Sequence, residues 1–375
     1  MKDRKQYRGN DVPIVSVIIP VYNAEEYLKQ MLETVVKQTL QNIEIICVND
    51  GSTDRSGEII EKFRKHDKRI SVLEQPNVNA GVARNRGLEA ARGRYVVFWD
   101  ADDRFERHAL EKMYEKSEKT KADICVCGVY EFTDEGKVYE ADGYLKMEML
   151  PEKDPFNKYD ISGRLFDFAS NMVWNKMYRR EFLEKNNLKF QTIRQSNDTA
   201  FVMLSVFLAD AITCVDKRLA SYRVNSKDSL TKKSSQTVFC PYEAYLYTLQ
   251  KIKEYPEFSL VRKSFQNKTA KGMFRALNIQ TSFEAYVNLF DFLQKEGLEK
   301  LGIHQCRKED MEEEWIFNDL ERIKTMSAGD FLLYKTNERK WDRDQLKYTL
   351  KRVRRRLSLL FSVNQKLKNL KKFIK

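Results

Sequence analysis

Three carboxylates follow a short apolar segment near residue 100, and their spacing indicates a metal site. Tyr95 to Trp99 reads Tyr-Val-Val-Phe-Trp, which predicts a buried strand of a parallel sheet. Asp100, Asp102 and Asp103 come directly after it, so like charges crowd one strand end unless a cation binds there. Hard oxygen ligands in an Asp-x-Asp arrangement suit Mg²⁺ or Mn²⁺ carrying a diphosphate. An acidic turn that caps a helix starting near residue 106 is the alternative that the sequence leaves open.

The segments around these acids alternate between strand and helix patterns. Apolar runs of strand length alternate with stretches whose apolar residues recur at helical spacing. The strands are expected at Val15–Pro20, Ile43–Val48, Ile70–Leu73 and Tyr95–Trp99. Helices are expected at about Ala24–Thr39 and Asn79–Arg92, and Ile59, Ile60 and Phe63 mark a further helix between them. This alternation predicts an α/β fold with a mostly parallel central sheet and helices on both faces.

Ligands of such sheets lie beyond the carboxyl ends of the strands, and three of these ends carry functional side chains. Tyr22, Asp50 and Asp100 follow the first, second and fourth strands. The Tyr22 ring can stack on a base, although an aromatic residue in a turn is more often a packing residue. Asp50 can accept the imide N–H of uracil, but Asp-Gly-Ser is also a common turn before a helix.

The net charge of the chain is concentrated at its C-terminal end. The 375 residues include 67 Lys and Arg against 55 Asp and Glu, a formal charge of +12. Residues 351–375 hold ten of the bases and no acid, so residues 1–350 carry 57 (67 − 10) bases against 55 acids. An almost neutral body and a tail with few aromatic residues argue against nucleic-acid binding.

Cysteine usage and the N-terminal sequence indicate the compartment. Six cysteines contain no Cys-x-x-Cys pair, which is typical of buried free thiols in a reducing environment. The first 14 residues lack the apolar stretch of a signal peptide, and no apolar run reaches the ~18 residues of a membrane span. We therefore expect a cytoplasmic protein, either free or peripheral on the inner face of the cell membrane.

Four linked motifs within about the first 105 residues resemble those of family 2 glycosyltransferases with the GT-A fold. They are Val-Ile-Ile-Pro-Val-Tyr-Asn, Val-Asn-Asp-Gly-Ser-Thr-Asp, Asn-Ala-Gly-Val-Ala-Arg-Asn-Arg-Gly and Trp-Asp-Ala-Asp-Asp. The chain looks like the bacterial members that build capsular polysaccharide or exopolysaccharide. This resemblance implies transfer of a sugar from a UDP-sugar donor, with inversion at the anomeric carbon.

The resemblance also implies roles for individual residues. Asp50 would bind the uracil with Tyr22 stacked nearby, Asp100 would lie by the ribose, and Asp102 would bind the metal. The remaining positions implied for nucleotide and donor binding are Pro20, Asn23, Arg84 and Ala101. For Arg84, an ion pair with a strand-end Asp is the competing interpretation.

Two later segments supply the implied acceptor side and the general base. Trp174 and Asn175 lie in Asn-Met-Val-Trp-Asn-Lys-Met-Tyr-Arg-Arg, which resembles a family segment that faces the donor sugar or the acceptor. Asn197 and Asp198 stand where the family usually has Glu-Asp, so Asp198 occupies the position of the catalytic base. Its competing interpretation is a helix N-cap, because Asp before an apolar run is a common start signal.

The loop after Arg223 resembles one that often closes over the nucleotide in this family. Some relatives place a metal-binding His there, whereas the three histidines of this chain lie elsewhere, at positions 66, 108 and 304. The metal would then depend mainly on Asp102 and the diphosphate. Arg223 or Lys227 could reach the phosphates, or the loop could simply be a solvated basic one.

The sequence divides into four parts on these grounds. Residues 1–110 form the nucleotide-sugar half, 111–233 the acceptor half with the base, 234–344 a helical appendage and 345–375 a basic amphipathic tail. Lys351–Lys375 can lie on an anionic membrane, which suits a lipid-linked acceptor, or pack on its own domain or on a second protomer. The last of these interpretations predicts a homo-oligomer.

Two other functional classes share features with the transferase. A sugar-nucleotide pyrophosphorylase needs a Gly-rich, Arg-bearing loop where this chain has Val-Tyr-Asn. A catalytically silent nucleotide-sugar-binding or scaffold protein at the membrane surface remains the alternative. The donor sugar, the acceptor and the linkage cannot be read from the sequence.

Overall fold

A computed structural model describes residues 12–224 and 235–338. Nine strands form one sheet with the order β3-β2-β1-β4-β8-β6-β9-β5, and β7 pairs with β6 outside this path. The strands are β1 Val15–Val21, β2 Ile43–Asp50, β3 Ile70–Gln75, β4 Tyr95–Phe98, β5 Arg104–Phe105, β6 Ile124–Phe132, β7 Val138–Ala141, β8 Lys176–Arg179 and β9 Ile212–Arg223. The predicted α/β class with a mostly parallel central sheet is confirmed.

Helices cover the sheet and continue beyond it. The helices are α1 Leu28–Val36, α2 Ser56–His66, α3 Ala80–Ala90, α4 Ala109–Thr120, α5 Arg180–Lys185, α6 Asn197–Leu208, α7 Cys240–Ile252, α8 Phe258–Asn278, α9 Phe283–Phe292, α10 Leu298–Lys300 and α11 Glu314–Thr325. The first helix was expected from about Ala24 but begins at Leu28. Residues 24–27 form a turn there, because Ser56 Oγ and Asp54 Oδ2 accept the amides of Ala24 and Glu25 at 2.8 and 2.9 Å.

The first half of the sheet is entirely parallel. β1 pairs with β2 on one side and β4 on the other, and β2 pairs with β3. β1, β2 and β4 are buried along nearly their whole length, as continuous apolar sequences require in a sheet covered on both faces. Pro20 lies two residues beyond Ile18, the last β1 residue that pairs with β4, so its missing N–H leaves that ladder intact. The carboxyl ends of β1, β2 and β4 meet at one edge.

The second half of the sheet is mixed. β8 runs antiparallel to both β4 and β6, and so joins the two halves. β6 and β7 form an antiparallel hairpin, and β9 runs parallel to β6. β5 pairs with the end of β9 through Arg104 and Phe105. Because these residues form a strand, the next helix begins at Ala109 and not near residue 106.

The predominantly helical pattern expected after residue 234 is confirmed for residues 235–338. Residues up to Phe317 form one compact unit, and a second unit begins at Asn318. Within the second unit, residues 328–338 are helical, and Lys335 Nζ donates to the buried Asp319 carboxylate at 2.8 Å. The four-part division proposed from the sequence is not tested by this arrangement and stays a prediction.

The described residues include all six cysteines and the helices whose length and apolarity bear on membrane insertion. Five cysteines, at positions 47, 125, 127, 214 and 240, are free thiols, and Cys47, Cys125, Cys127 and Cys306 are buried. None of the described helices combines the length and the apolarity that crossing a membrane requires. The basic tail Lys351–Lys375, which was predicted to contact a membrane or pack on protein, lies outside the described residues.

Candidate active site

Asp50 is held rigidly at the carboxyl end of β2. Its Oδ1 accepts hydrogen bonds from Gln75 Nε2 at 2.6 Å and from the amide of Val78 at 3.0 Å. Gln75 stands opposite Asp50 in the β2–β3 register, so the ladder itself brings the donor to the carboxylate. Gly51 turns the chain with φ of +70°, and a side chain there would meet the amide nitrogen of Asn77 at 2.7 Å. This carboxylate is buried and oriented before any ligand binds.

The turn after β1 presents an aromatic ring beside Asp50. Tyr22 is 49% exposed, so its ring is available for stacking at the sheet edge. Asn23 adopts a positive φ of 46°, which Asn tolerates better than most residues. Its Oδ1 accepts the amide of Thr53 at 2.8 Å, and its own amide donates to Ser52 Oγ at 3.1 Å. Asn23 therefore ties the β1 and β2 turns together, while Pro20 is half-buried behind them.

Arg84 forms the ion pair that was one of its two interpretations. The guanidinium is 6% exposed, and its Nη2 donates to Asp100 Oδ1 at 2.6 Å. Its Nη1 donates to Asn197 Oδ1 at 2.9 Å. Burial disfavours the charge on Arg84, but the carboxylates of Asp100, Asp198 and Asp102 outweigh it and raise the pKa of Arg84. Arg84 thus connects the end of β4 to the start of α6, and its contact with a nucleotide stays a prediction.

The acidic turn after β4 separates into residues with different environments. Asp100 pairs with Arg84, and Ala101 is buried. Asp103 is 1% exposed, and its Oδ1 accepts the backbone amide of Arg223 at 3.0 Å. Burial and the neighbouring Asp102 and Asp100 raise the pKa of Asp103 well above its ordinary value. The turn does not cap α4, which begins at Ala109, so the capping alternative is wrong.

Asp102 is the carboxylate of this turn that the protein leaves open. No other side chain in residues 12–224 and 235–338 donates a hydrogen bond to it. Burial, aided by the charge of Asp100, raises its pKa to about 6, and Arg223 and Arg84 act in the opposite direction. A half-buried carboxylate with free lone pairs is a fitting first ligand for a hard divalent cation.

A complete protein-only metal cage is not present in the described ranges. These residues contain no group of three or more His, Cys, Asp or Glu side chains placed to hold a metal ion. Asp103 is directed at the Arg223 amide and Asp100 at Arg84, which leaves Asp102. The donor set therefore fits a metal that takes one protein carboxylate and completes its coordination with phosphate oxygens and water.

Arg223 anchors the acidic turn from the end of β9. Its Nε donates to the carbonyl oxygen of Asp102 at 2.9 Å, and its guanidinium forms an ion pair with Asp134. The guanidinium carbon also lies 4.3 Å from the Tyr27 ring centroid and 4.6 Å from that of Phe132. All these partners are protein groups, so the geometry favours a structural role over the predicted phosphate contact. Lys227, the other predicted contact of this loop, lies outside the described residues.

Trp174 and Asn175, the predicted donor or acceptor contacts, are both buried. The Trp174 ring stacks on Tyr222 with a centroid distance of 5.3 Å and an interplanar angle of 10°. Asn175 is fully buried, and its Nδ2 donates to the carbonyl oxygen of Cys127 at 3.0 Å. Burial and the acids of the turn after β4 raise the pKa of Tyr222, so this aromatic pair lies within electrostatic reach of that turn. Trp174 therefore backs the site, and Asn175 holds the loop that carries it.

Lys176 is a buried cation that the sequence analysis did not single out. Its ammonium donates to the carbonyl oxygens of Ser170 and Met172 at 2.9 and 2.6 Å, and to Asn175 Oδ1 at 2.9 Å. These acceptors are neutral, and burial lowers the pKa of Lys176 to about 7. The three hydrogen bonds fold the loop before β8 and so fix the position of Trp174.

Asp198 is the second residue of α6 and does not cap it. The residue before the helix is Ser196, with a positive φ of 59°, so the N-cap interpretation of Asp198 is wrong. Within residues 12–224 and 235–338, no other side chain donates a hydrogen bond to its carboxylate. Burial raises the pKa of Asp198, and the positive charge of Arg84 opposes that rise.

The structure thus brings most of the predicted residues to one region and adds two that were missed. Gln75 holds Asp50, and Lys176 holds the Trp174 loop. Gln75 could have been found by aligning the ends of the predicted strands, because parallel neighbours end together. The sequence carries no comparable signal for Lys176, since its acceptors are backbone oxygens of a loop without regular structure.

Comparisons with known proteins agree on one family. The sequence profile of Glycosyl transferase family 2 matches residues 16–186. EpsJ of Bacillus subtilis strain 168, described as an uncharacterized glycosyltransferase, is 37% identical over 224 residues, which are 59% of this chain and 64% of EpsJ. EpsH of the same organism, a putative glycosyltransferase, is 34% identical over 255 residues, 65% of this chain and 72% of EpsH. The chain thus spans just under two thirds of EpsJ and somewhat more of EpsH.

A solved structure supports the same architecture. The mannosyltransferase PcManGT from Pyrobaculum calidifontis, in complex with GDP-Man and Mn²⁺, superposes with a TM-score of 0.50. The match is 16% identical and covers 78% of this chain and 84% of that one. This likeness shows that the two chains share a fold, in agreement with the GT-A architecture expected from the sequence.

Proposed function

The chain belongs to the family 2 glycosyltransferases, and from this membership we propose that it moves a sugar from a UDP-sugar to a saccharide acceptor with inversion. The acceptor is a growing cell-surface polysaccharide, such as a capsular polysaccharide or exopolysaccharide, carried on a lipid. The basic tail would attach the enzyme to the inner face of the membrane, where such an acceptor is found.

The observation that carries this proposal is the contrast among the carboxylates of the site. Asp50, Asp100 and Asp103, here called the clamped carboxylates, each accept a short hydrogen bond from the protein. Asp102 and Asp198, here called the open carboxylates, accept none from another side chain of the described ranges. A transferase needs both kinds, because recognition requires fixed groups and chemistry requires free lone pairs.

Two of the clamped carboxylates, Asp50 and Asp100, would hold the nucleotide. Asp50 presents its second oxygen to the imide N–H of uracil while Gln75 and Val78 fix the first. The exposed Tyr22 ring stacks beside the base, and Asp100, held by Arg84, faces the ribose. Asp102 would hold a Mn²⁺ or Mg²⁺ ion, which when bound supplies positive charge to the leaving diphosphate.

The open carboxylate of α6 would perform the proton transfer. In a single displacement the acceptor hydroxyl attacks the anomeric carbon opposite the departing diphosphate, so the C–O bond to UDP breaks as the new one forms. Asp198 accepts the hydroxyl proton as this bond forms. Its free lone pairs and a pKa raised by burial suit a group that must gain a proton during the reaction.

The experiment that tests the proposal is Mn²⁺-dependent release of UDP from a panel of UDP-sugars. We expect one sugar to be hydrolysed slowly in water, and the release to be lost in Asp102→Ala. Asp216→Ala, which removes an exposed carboxylate of β9, is the matched control and should behave as wild type. If no nucleotide sugar is hydrolysed or bound with metal present, the silent scaffold replaces the transferase.

A further inference from the structure

The motif Asn-Ala-Gly-Val-Ala-Arg-Asn-Arg-Gly on α3 docks against the segment that precedes α6. Asn85 forms a reciprocal pair with the backbone of Phe190, with both hydrogen bonds at 2.8 Å. Gly81 lets the two segments approach, since a side chain there would meet the carbonyl oxygen of Gln191 at 2.4 Å. The α3 motif therefore fixes the start of α6, and with it Asp198, relative to the nucleotide half.

Arg84 lies at the centre of this contact and has three neighbours. One arm of its guanidinium pairs with the Asp100 carboxylate at 2.6 Å, and the other donates to the amide oxygen of Asn197 at 2.9 Å. Phe190 covers it, with the guanidinium carbon 5.4 Å from the ring centroid. Asn197 is 5% exposed and also donates to the carbonyl oxygen of Ile193 at 3.4 Å, so its amide is fixed in orientation.

The charged groups that act on Asp198 are Arg84 on α3, Asp100 after β4 and Lys176 on β8. The neutral hydroxyls of Tyr178 on β8 and Tyr245 on α7 are the other titratable groups within electrostatic reach of Asp198, and burial raises the pKa of both. Arg84 exerts the larger favourable effect on the Asp198 carboxylate, and Lys176 adds a smaller one. Asp100 acts against them but is itself paired with Arg84.

We propose that Asn197 and Arg84 are positioning residues that keep the Asp198 carboxylate ionised until the acceptor hydroxyl arrives. This inference rests on the proposed role of Asp198 as the general base. Asn197 performs its part because it is neutral: it fixes the second arm of Arg84 without neutralising the guanidinium.

The choice of an amide at position 197 is the critical feature. A carboxylate there would accept the same hydrogen bond from Arg84, but it would share the one positive charge with Asp100. It would also add a negative charge next to Asp198, and a like charge disfavours ionisation of its neighbour. Asn197→Asp therefore changes charge with almost no change in shape.

The test is a ¹³C NMR titration of Asp198 in the full chain, with its signal assigned from Asp198→Asn. We expect Asn197→Asp to raise the titration midpoint of Asp198 by about one pH unit. The matched control is Asn79→Asp. Asn79 lies in the same docking contact, where its Nδ2 donates to the carbonyl oxygen of Thr192 at 3.1 Å. Its replacement should leave the midpoint in place, whereas an unmoved midpoint in Asn197→Asp overturns the proposal.

A second pair of variants covers the case in which Asn197→Asp does not fold. Arg84→Gln removes the guanidinium charge and should raise the Asp198 midpoint, while Arg84→Lys keeps a charge and should restore it most of the way. If Arg84→Gln and Arg84→Lys give the same midpoint, charge is not what Arg84 supplies, and the proposal fails.

The pH dependence of UDP release separates this proposal from the proposed function. The acidic limb of the rate profile should move upward with the NMR midpoint in Asn197→Asp, with the plateau rate kept within a few-fold. A uniform loss of rate without movement of the limb would mean that Asn197 is merely structural. If the NMR midpoint moves and the limb does not, the positioning stands and Asp198 is not the base.

Discussion

The end of β2 and the start of α6 hold their carboxylates in opposite ways. In the parallel half, Asp50 is fixed by Gln75 and Val78 before any ligand is present. At the start of α6, Asp198 is the second helical residue, does not cap the helix, and accepts no hydrogen bond from another side chain of the described ranges. Orientation in advance lowers the entropic cost of binding, whereas free lone pairs are what a proton acceptor requires. The difference assigns recognition to the fixed carboxylate at the end of a strand and chemistry to the free carboxylate at the start of a helix.

The largest effect should come from removing the open carboxylate of α6. Asp198→Asn preserves size and leaves the nucleotide half untouched, so UDP affinity should stay within about twofold of wild type. Sugar transfer should fall by roughly 10²–10⁴-fold, the usual contribution of a positioned general base. Calorimetry with UDP and a UDP-release assay measure the two quantities on the same protein. A parallel loss of UDP affinity and sugar transfer would assign Asp198 to binding and remove the contrast between Asp50 and Asp198.

A clamped carboxylate should show the reverse pattern. Asp50→Asn keeps an oxygen for Gln75 and Val78, so the fold is preserved, but it can place an N–H against the uracil imide. Loss of a hydrogen bond to a charged group costs about 1.5–3 kcal/mol, so UDP should bind about 10–100-fold more weakly. Turnover at saturating donor should change much less than affinity. An unchanged dissociation constant for UDP would show that Asp50 is only a structural turn residue.

Metal affinity should reveal the other open carboxylate through its pH dependence. Burial and Asp100 raise the pKa of Asp102 to about 6, and a proton on this group competes with a metal ion. The apparent affinity for Mn²⁺ should therefore be constant above about pH 7 and fall about tenfold per pH unit below about pH 6. Binding of Mn²⁺ with UDP, followed by electron paramagnetic resonance, measures it. Asp102→Asn should weaken binding at all pH values and flatten the dependence, and an equal slope in both proteins would exclude Asp102 as the ligand.

The parallel half of the sheet could be predicted well because its signals are local. Apolar runs that end in Tyr22, Asp50 and Asp100 report both the strands and the edge where they meet. The two misplaced helix starts have distant causes. α1 begins late because Ser56 and Asp54 accept the amides before it, and α4 because β5 pairs with β9, more than 100 residues away.

The mixed half of the sheet resisted prediction because its contacts also come from distant parts of the chain. Asn175 and Arg223 are polar residues that the sequence presents as ligand contacts, yet their partners are protein groups from other elements. The amide of Asn175 donates to Cys127 on β6, and Arg223 pairs with Asp134 in the β6–β7 turn. A polar residue in a motif therefore indicates that its side chain has a hydrogen-bonding partner. Only the fold shows whether that partner is a ligand or another part of the protein.

The smallest expected effect concerns Lys176, whose hydrogen bonds hold the loop that carries Trp174. Lys176→Met leaves three buried acceptors without a donor and should lower the free energy of unfolding by about 1–3 kcal/mol near pH 7. The exposed Lys185 provides the control, since Lys185→Met should be nearly neutral.

The pH dependence of that difference distinguishes a buried ammonium from simple packing. The folded-state pKa of Lys176 is depressed to about 7, so between pH 7 and about 10 the unfolded chain binds more protons at this residue than the native one. Stability contributed by Lys176 therefore rises with pH across this window, by up to about 1.4 kcal/mol per unit. Denaturation at pH 7 and pH 9 should show that the difference in free energy of unfolding between wild type and Lys176→Met is larger at pH 9. The other titrating groups are common to both proteins, so their contributions cancel in this difference. If the gap stays constant, Lys176 is charged throughout this range, and its loop is held by an ordinary ammonium.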